Sequence, residues 1–283
     1  MSSRNVLQRS PITALITIMA LLFLFLPLAV VVLFSFHKTG GLSFPFKGFS
    51  LRWYRQVLSS PEFRASAENS LIVAAASCAL TFVLGTLAAY GISRSSSRWR
   101  GPLSLLFFLP ITLPGLFVGL ALLVFFARLK LELSLRTVVL AHFVYVFPFF
   151  FLIARAAFDR MDIALEEAAA DLGANHWKVF RRVTLPQVWP ILVGAAALAF
   201  ALSFDEFIIT FFVIGPDSTL PLFIWSSLRR HVDPSINTVS TLLMTVTFGL
   251  SAIAFLFALR GERARARTLE LSLRGEMDPG RSI

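Results

Sequence analysis

Asp205 and Glu206 stand side by side in an otherwise uncharged run from about Gln187 to Ile214. An ionised side chain placed inside a bilayer costs on the order of 3 kcal/mol, so such a pair has to face a cavity or a partner. The chemistry within its reach is the binding of an organic cation. Carboxylates pair with ammonium groups, while the rings of Phe204, Phe207 and Phe211 attract cations and cover methylene stems. A structural use, an ion pair or hydrogen bond between helices of two subunits, stands beside that reading. On an uninterrupted helix adjacent residues lie about 100° apart, so the two acids point different ways. Ser203, Glu206 and Thr210 then share one polar stripe, and Asp205 shares its face with Ala201, Ile208 and Phe212. Glu206 is thus the candidate for a water-filled path and Asp205 for contact with a neighbouring helix. His142 and Tyr145, one turn apart in the preceding apolar run, either line that path or satisfy each other or a backbone carbonyl. None of these residues forms a nucleophile–base arrangement or a metal-ligand spacing, which argues against an enzyme.

A second group has a different character. The chain reads Leu165-Glu166-Glu167-Ala168-Ala169-Ala170-Asp171-Leu172-Gly173 and, ten residues on, Val183-Thr184-Leu185-Pro186. Asp162 is a plausible cap, the alanines favour helix, and Gly173 can take the left-handed conformation that ends one. Asn175 can start a second short helix through Arg182, with Pro186 stopping it or opening the next element. Three alanines in a row leave a helical face without bulk, which another protein surface can approach closely. Glu166 and Glu167 at one end and Arg181 and Arg182 at the other give that surface charge. A solvated helical hairpin is the plainer alternative.

The helices on which these residues sit follow from composition. Of 283 residues 57% are hydrophobic, 30 are Phe and only 15% are charged, far from the roughly 25% charged of soluble domains. That excludes a disordered chain. The single cysteine, Cys78, excludes a disulfide scaffold. No phosphate-binding glycine loop, zinc spacing or EF-hand loop occurs. Six runs are long enough, or nearly so, to cross about 30 Å of hydrocarbon as helices. They are Ser10 to Phe36, Asn69 to Ser93, Gly101 to Ala127, Thr137 to Ala154, Gln187 to Ile214 and Pro234 to Leu259. The first is too long for a signal-peptide core and lacks a small-residue cleavage site, so it reads as a retained span.

The expected fold class is an all-α integral membrane protein of six transmembrane helices with cytoplasmic N- and C-termini. Residues 1–9 are then a cytoplasmic tail, 10–259 the membrane domain with 158–186 as its inner loop, and 260–283 a basic tail. This orientation puts 16 of the 26 Lys and Arg on the inner side. The net charge of +10 is spread over loop ends, which suits lipid headgroups rather than nucleic acid. The stretch from Phe49 to Ala67, mixing Trp53, Tyr54, Val57, Leu58 and Phe63 with Arg52, Arg55 and Arg64, reads as a short interfacial helix or a solvated connector.

The inner loop carries a family resemblance. Glu167-Ala168-Ala169, three residues, Gly173, nine residues, then Val183-x-Leu185-Pro186 resembles the EAA loop of membrane permease subunits of bacterial ABC importers, with Val183 where the family prefers Ile. Asn69-Ser70-Leu71, Phe108-Leu109-Pro110 with Pro114-Gly115, Leu202-Ser203-Phe204-Asp205-Glu206-Phe207, and Leu228-Arg229-Arg230 with Pro234 and Asn237 look like its polyamine branch, most similar to the PotC type of spermidine/putrescine permease. The resemblance implies that Glu166, Glu167, Ala168, Ala169, Gly173, Leu185 and Pro186 form a coupling site for cytoplasmic ATPase subunits. It implies further partners: a second, PotB-like permease subunit, an extracytoplasmic substrate-binding protein and membrane lipids. The location implied is the bacterial inner membrane. ATP and Mg would sit on the ATPase, with no cofactor in this chain. Ser203, Asp205, Glu206, Thr210 and Tyr145 would be candidates for the substrate path. The EAA loop itself says nothing of cargo, so iron, opines and aminoethylphosphonate remain alternatives to polyamines. A stand-alone secondary transporter is the competing mechanism.

Overall fold

The computed structural model describes residues 11–40, 46–230, 234–249, 251, 252 and 256. Among these the chain is helical, with no strand and one isolated antiparallel bridge, His37 to Phe49. The two expected tails, 1–9 and 260–283, lie outside the described residues.

Among the described residues four helical stretches are long and apolar enough to cross a membrane, or five if one bent pair counts as a single span. α1 (Pro11–Ser35) matches the first apolar run, and no residue of its most apolar window is buried. Phe23, for example, is 81% accessible, which fits a helix surrounded by lipid or a partner rather than by its own chain. α2 (Arg52–Ser59) buries Trp53 and Val57 and leaves Arg52 and Arg55 outside, a shorter amphipathic helix than the Phe49 to Ala67 stretch suggested. α3 (Pro61–Arg94) begins eight residues before the uncharged run does. Ser60 accepts from the Phe63 N–H and Pro61 opens the helix, so capping chemistry sets that boundary rather than hydropathy. α6 (Leu135–Asp159) contains the fourth run and is capped by Ser134 and Thr137.

Two runs expected to be single rods are not. The third is broken into α4 (Arg100–Thr112) and α5 (Gly115–Arg128), which meet at 107°. Pro114 forces Leu113 into extended backbone (φ −98°, ψ 136°), and the helix stops there. The fifth is broken between α9 (Leu185–Phe204) and α10 (Ile208–Val213). After α11 (Leu220–Arg230), the sixth run is helical over residues 234–249.

The chain forms two compact units. One, Met1–Arg64 with Phe223–Thr245, is knit by Trp53 donating to the His37 carbonyl at 2.7 Å, by Ser35 and Tyr54 sharing a 2.8 Å hydrogen bond, and by Thr238 donating to the Ser35 carbonyl at 3.2 Å. The other, Ala65–Leu222 with Val246–Ile283, contains all of the candidate site residues. Its core has two clusters. One gathers Phe150, Phe151, Phe158, Val188 and Leu192; the other gathers Val73, Val118, Val138, Ile209 and Val213. Phe82, Phe107 and Phe108 pack edge-on around the first, a favoured aromatic geometry. α10 lies so close to α5 that a Cβ at Gly119 would sit 2.8 Å from the Phe212 ring and 3.3 Å from the Ile209 backbone.

Candidate functional site

The Glu-Ala-Ala segment forms α7 (Ala164–Asp171), a helix with no buried residue. Ile163 rather than Asp162 holds the N-cap position; Asp162, one residue earlier, accepts from the Ala164 N–H at 3.0 Å. At the other end the Gly173 N–H reaches Ala170 O at 2.8 Å and the Ala174 N–H reaches Ala169 O at 3.1 Å. This is a complete Schellman turn, and Gly173 occupies the left-handed position at φ +82°. Asn175 then caps α8 (His176–Val179), accepting from the Lys178 N–H at 2.9 Å.

The second short helix does not end at Arg182. It widens into a π-helical segment (Phe180–Thr184) and runs on into α9, giving one rod from His176 to Phe204. The wide turn sits directly before Pro186, which has no N–H to donate back along the helix. Phe180 anchors the rod by packing on Tyr90, with ring centroids 4.8 Å apart.

The coupling candidates divide by direction. Glu167, Ala168, Gly173 and Pro186 are exposed, and Ala169 and Leu185 are half-buried. Leu172 and Trp177 project beside them at 91% and 63% accessibility, two bulky apolar contacts that a search for small residues does not flag. Glu166 turns the other way. Its carboxylate takes a two-pronged grip from Arg94, Nε to Oε2 at 2.8 Å and Nη2 to Oε1 at 3.0 Å, and accepts from Thr184 at 2.8 Å. Burial works against the charge, but the Arg94 and Thr184 hydrogen bonds and the Arg94 charge prevail and hold this carboxyl below its usual value.

At the break in the fifth run the stripe geometry of a continuous helix no longer applies. His142, which is 1% accessible, reaches Ser203 through Nδ1 and Thr210 through Nε2, each at 2.8 Å. One imidazole thus holds both sides of the interruption. With the ring proton on Nε2, His142 donates to Thr210, whose hydroxyl donates to the Glu206 carbonyl at 2.9 Å, and Nδ1 accepts from Ser203. Ser77 from α3 extends the network to Ser203 at 2.9 Å. The Glu206 carboxylate accepts from the Ile209 N–H at 2.9 Å and so starts α10. These local polar bonds compete with the helical ladder and account for the break.

Ser203 and Thr210 are therefore enclosed in the His142 network. Asp205 is exposed, Glu206 and Tyr145 are half-buried, and Tyr145 lies within electrostatic reach of both acids. His142 does not pair with Tyr145, and the hydrogen bonds that would have revealed its partners cross 61 and 68 residues. Asn69 and Ser70 also find a role here: they bond Ser218 O and the Leu220 N–H at 2.9 and 2.8 Å, pinning the loop after α10.

Comparison with known proteins agrees with this architecture. The crystal structure of a bacterial ABC transporter involved in the import of the acidic polysaccharide alginate superposes with a TM-score of 0.69 at 15% identity, covering 88% of this chain and 94% of that one, which establishes a shared fold. The putrescine transport system permease protein PotI of Escherichia coli (strain K12) is 33% identical over 276 residues, 94% of this chain and 98% of its own length. The spermidine/putrescine transport system permease protein PotC of the same strain is 27% identical over 226 residues, 80% and 85% of the two chains. The family model for binding-protein-dependent transport system inner membrane components matches residues 81–264, the stretch holding both the elbow at Gly173 and the stapled break, and the chain belongs to that family.

Proposed function

We propose that this permease carries polyamines across the inner membrane as one half of an ATP-driven import path. The observation that supports the cargo is the similarity to PotI over 94% of the chain. In this reading a binding protein delivers cargo from outside, and a second, PotB-like permease completes the path. The elbow, of which Glu166, Glu167, Ala168, Ala169, Gly173, Leu185 and Pro186 are part, docks on cytoplasmic ATPase subunits through its outward face, from which Glu166 turns away. Those subunits bind ATP and Mg, and this chain needs no cofactor of its own. The bundle makes six crossings, with the bent pair α4–α5 as the third, both termini cytoplasmic and the elbow at 158–186 on the inner face. The distribution of Lys and Arg supports that orientation. Asp205, Glu206 and Tyr145 meet the cargo, because carboxylates and a ring suit an ammonium group. Ser203 and Thr210 shape the path from behind through His142.

Uptake by vesicles holding the whole importer, challenged with spermidine, putrescine, ferric iron, an opine and 2-aminoethylphosphonate in turn, tests the cargo. Competition by the two polyamines alone is the expected result, and competition by any of the others in their place overturns it. Uptake that persists after the ATPase is omitted would instead favour a secondary transporter.

A further inference from the structure

We propose that Glu166 is a positioning residue that locks the elbow to the helix bundle, so that movement of α7 is handed to α3 and to the π segment instead of being lost in a pliant loop. The inference rests on the reading of the elbow as the ATPase docking site.

The two consecutive glutamates differ in what they touch. Glu167 faces outward, available to a partner, whereas the Glu166 side chain is only 11% accessible and its Arg94 partner 17%. A two-pronged arginine–carboxylate contact fixes direction as well as distance, which a single ammonium contact does not. The remaining capacity of both groups is spent on other elements. Arg94 Nη1 donates to the Phe158 carbonyl at 3.2 Å and to Ser93 at 3.1 Å. Ser93 donates to Asp159 at 2.6 Å, and Asp159 faces Arg100 at 3.3 Å and Arg155 at 3.4 Å. Thr184 brings in the π segment. The ends of α3 and α6, the start of α4 and the entry to α9 thus meet in one charged cluster, and Glu166 is the point at which α7 joins it.

The cluster matters because, among the described residues, Glu166 makes the side-chain hydrogen bonds and the ion pair that tie α7 to the helix bundle. α7 buries no residue, so hydrophobic packing does not set its orientation. Between the flanking anchors Met161 and Val179, the fixed points are the Gly173 turn and this carboxylate.

The test uses the complete importer in vesicles, with a photocrosslinking side chain at Leu172 as a reporter of docking and with uptake counted per ATP hydrolysed. Glu166→Gln keeps the shape and removes the charge. It is expected to leave the crosslink to the ATPase in place and to lower uptake per ATP by about tenfold, a typical size for a coupling between sites. Thr184→Val, a milder lesion, should lower it less, and the exchange of partners in a Glu166→Arg, Arg94→Glu double variant should restore part of the loss. Three results overturn the proposal: uptake per ATP unchanged in Glu166→Gln, loss of the crosslink in that variant while the parent retains it, or a double variant no better than either single one. A parent chain that never crosslinks is a separate failure, because it removes the docking reading on which the proposal stands.

Discussion

The elbow and the break in the fifth run solve the same problem with opposite chemistry. In each, a helix is interrupted beside apolar packing and its freed polar groups need partners. At the elbow the partners are charged: Glu166, Arg94 and Asp159 bind across several helix ends. At the break the groups that bridge it are uncharged types: His142 joins Ser203 and Thr210 at 2.8 Å each, while the Glu206 carboxylate takes only the Ile209 N–H on its own side and Asp205 stays exposed. In the proposed topology depth accounts for the difference. A charge cluster is tolerable where helix ends meet water and headgroups, whereas in the middle of a span the same cluster would cost on the order of 3 kcal/mol per charge. The neutral staple does not draw on Asp205, whereas the Glu206 carboxylate starts α10.

That contrast can be broken or sharpened by substitution. The largest effect is expected at Gly173. A Cβ there meets no atom within 4 Å, so the penalty comes only from the left-handed backbone, about 1–2 kcal/mol for an ordinary residue. Gly173→Val should abolish stimulation of the ATPase in reconstituted vesicles with the spans still inserted, and Gly173→Asn should keep a good part of it. A normal Gly173→Val would show that the elbow tolerates any turn. Next comes His142→Leu, which strips partners from two buried hydroxyls and should lower stability by roughly 2 kcal/mol, read as melting temperature in detergent. Asp205→Asn is the complementary case: melting should stay put while polyamine uptake falls. If Asp205→Asn melts early, the acid is structural and the comparison fails.

The smallest effect concerns pH. Because the folded Glu166 carboxyl sits below its ordinary value of 4.5, its contribution is present in full above about pH 4.5 and fades only as pH falls through the lowered value. Uptake per ATP should therefore show no step attributable to this group between about pH 8 and about pH 5.5.

Local signals made the elbow legible. Its cap, its glycine and its small-residue face all lie within 30 residues, and each is a matter of backbone geometry that residue type decides. The break was half legible. Two acids in an apolar run announce that something is there, but a stripe drawn on an ideal helix assumes continuity, and continuity fails because His142 and Ser77 come from other helices. The 107° turn between α4 and α5 falls at Pro114 and Gly115, residue types that readily interrupt a helix, yet α5 also packs closely on α10 at Gly119, which no local rule contains. Glu166 and Glu167 looked alike for the same reason, since only the fold says that Arg94 waits beside one of them.

The wide turn at Phe180–Thr184 has one more consequence. An extra residue in a helical turn rotates everything beyond it by about 100° relative to everything before. The 29-residue rod is thus one continuous helix with a phase slip built into it. Its first turns can aim Trp177 at the outside world while its later ones aim Val188 and Leu192 inward, an arrangement that an unbroken heptad-like pattern could not deliver from the same stretch of chain.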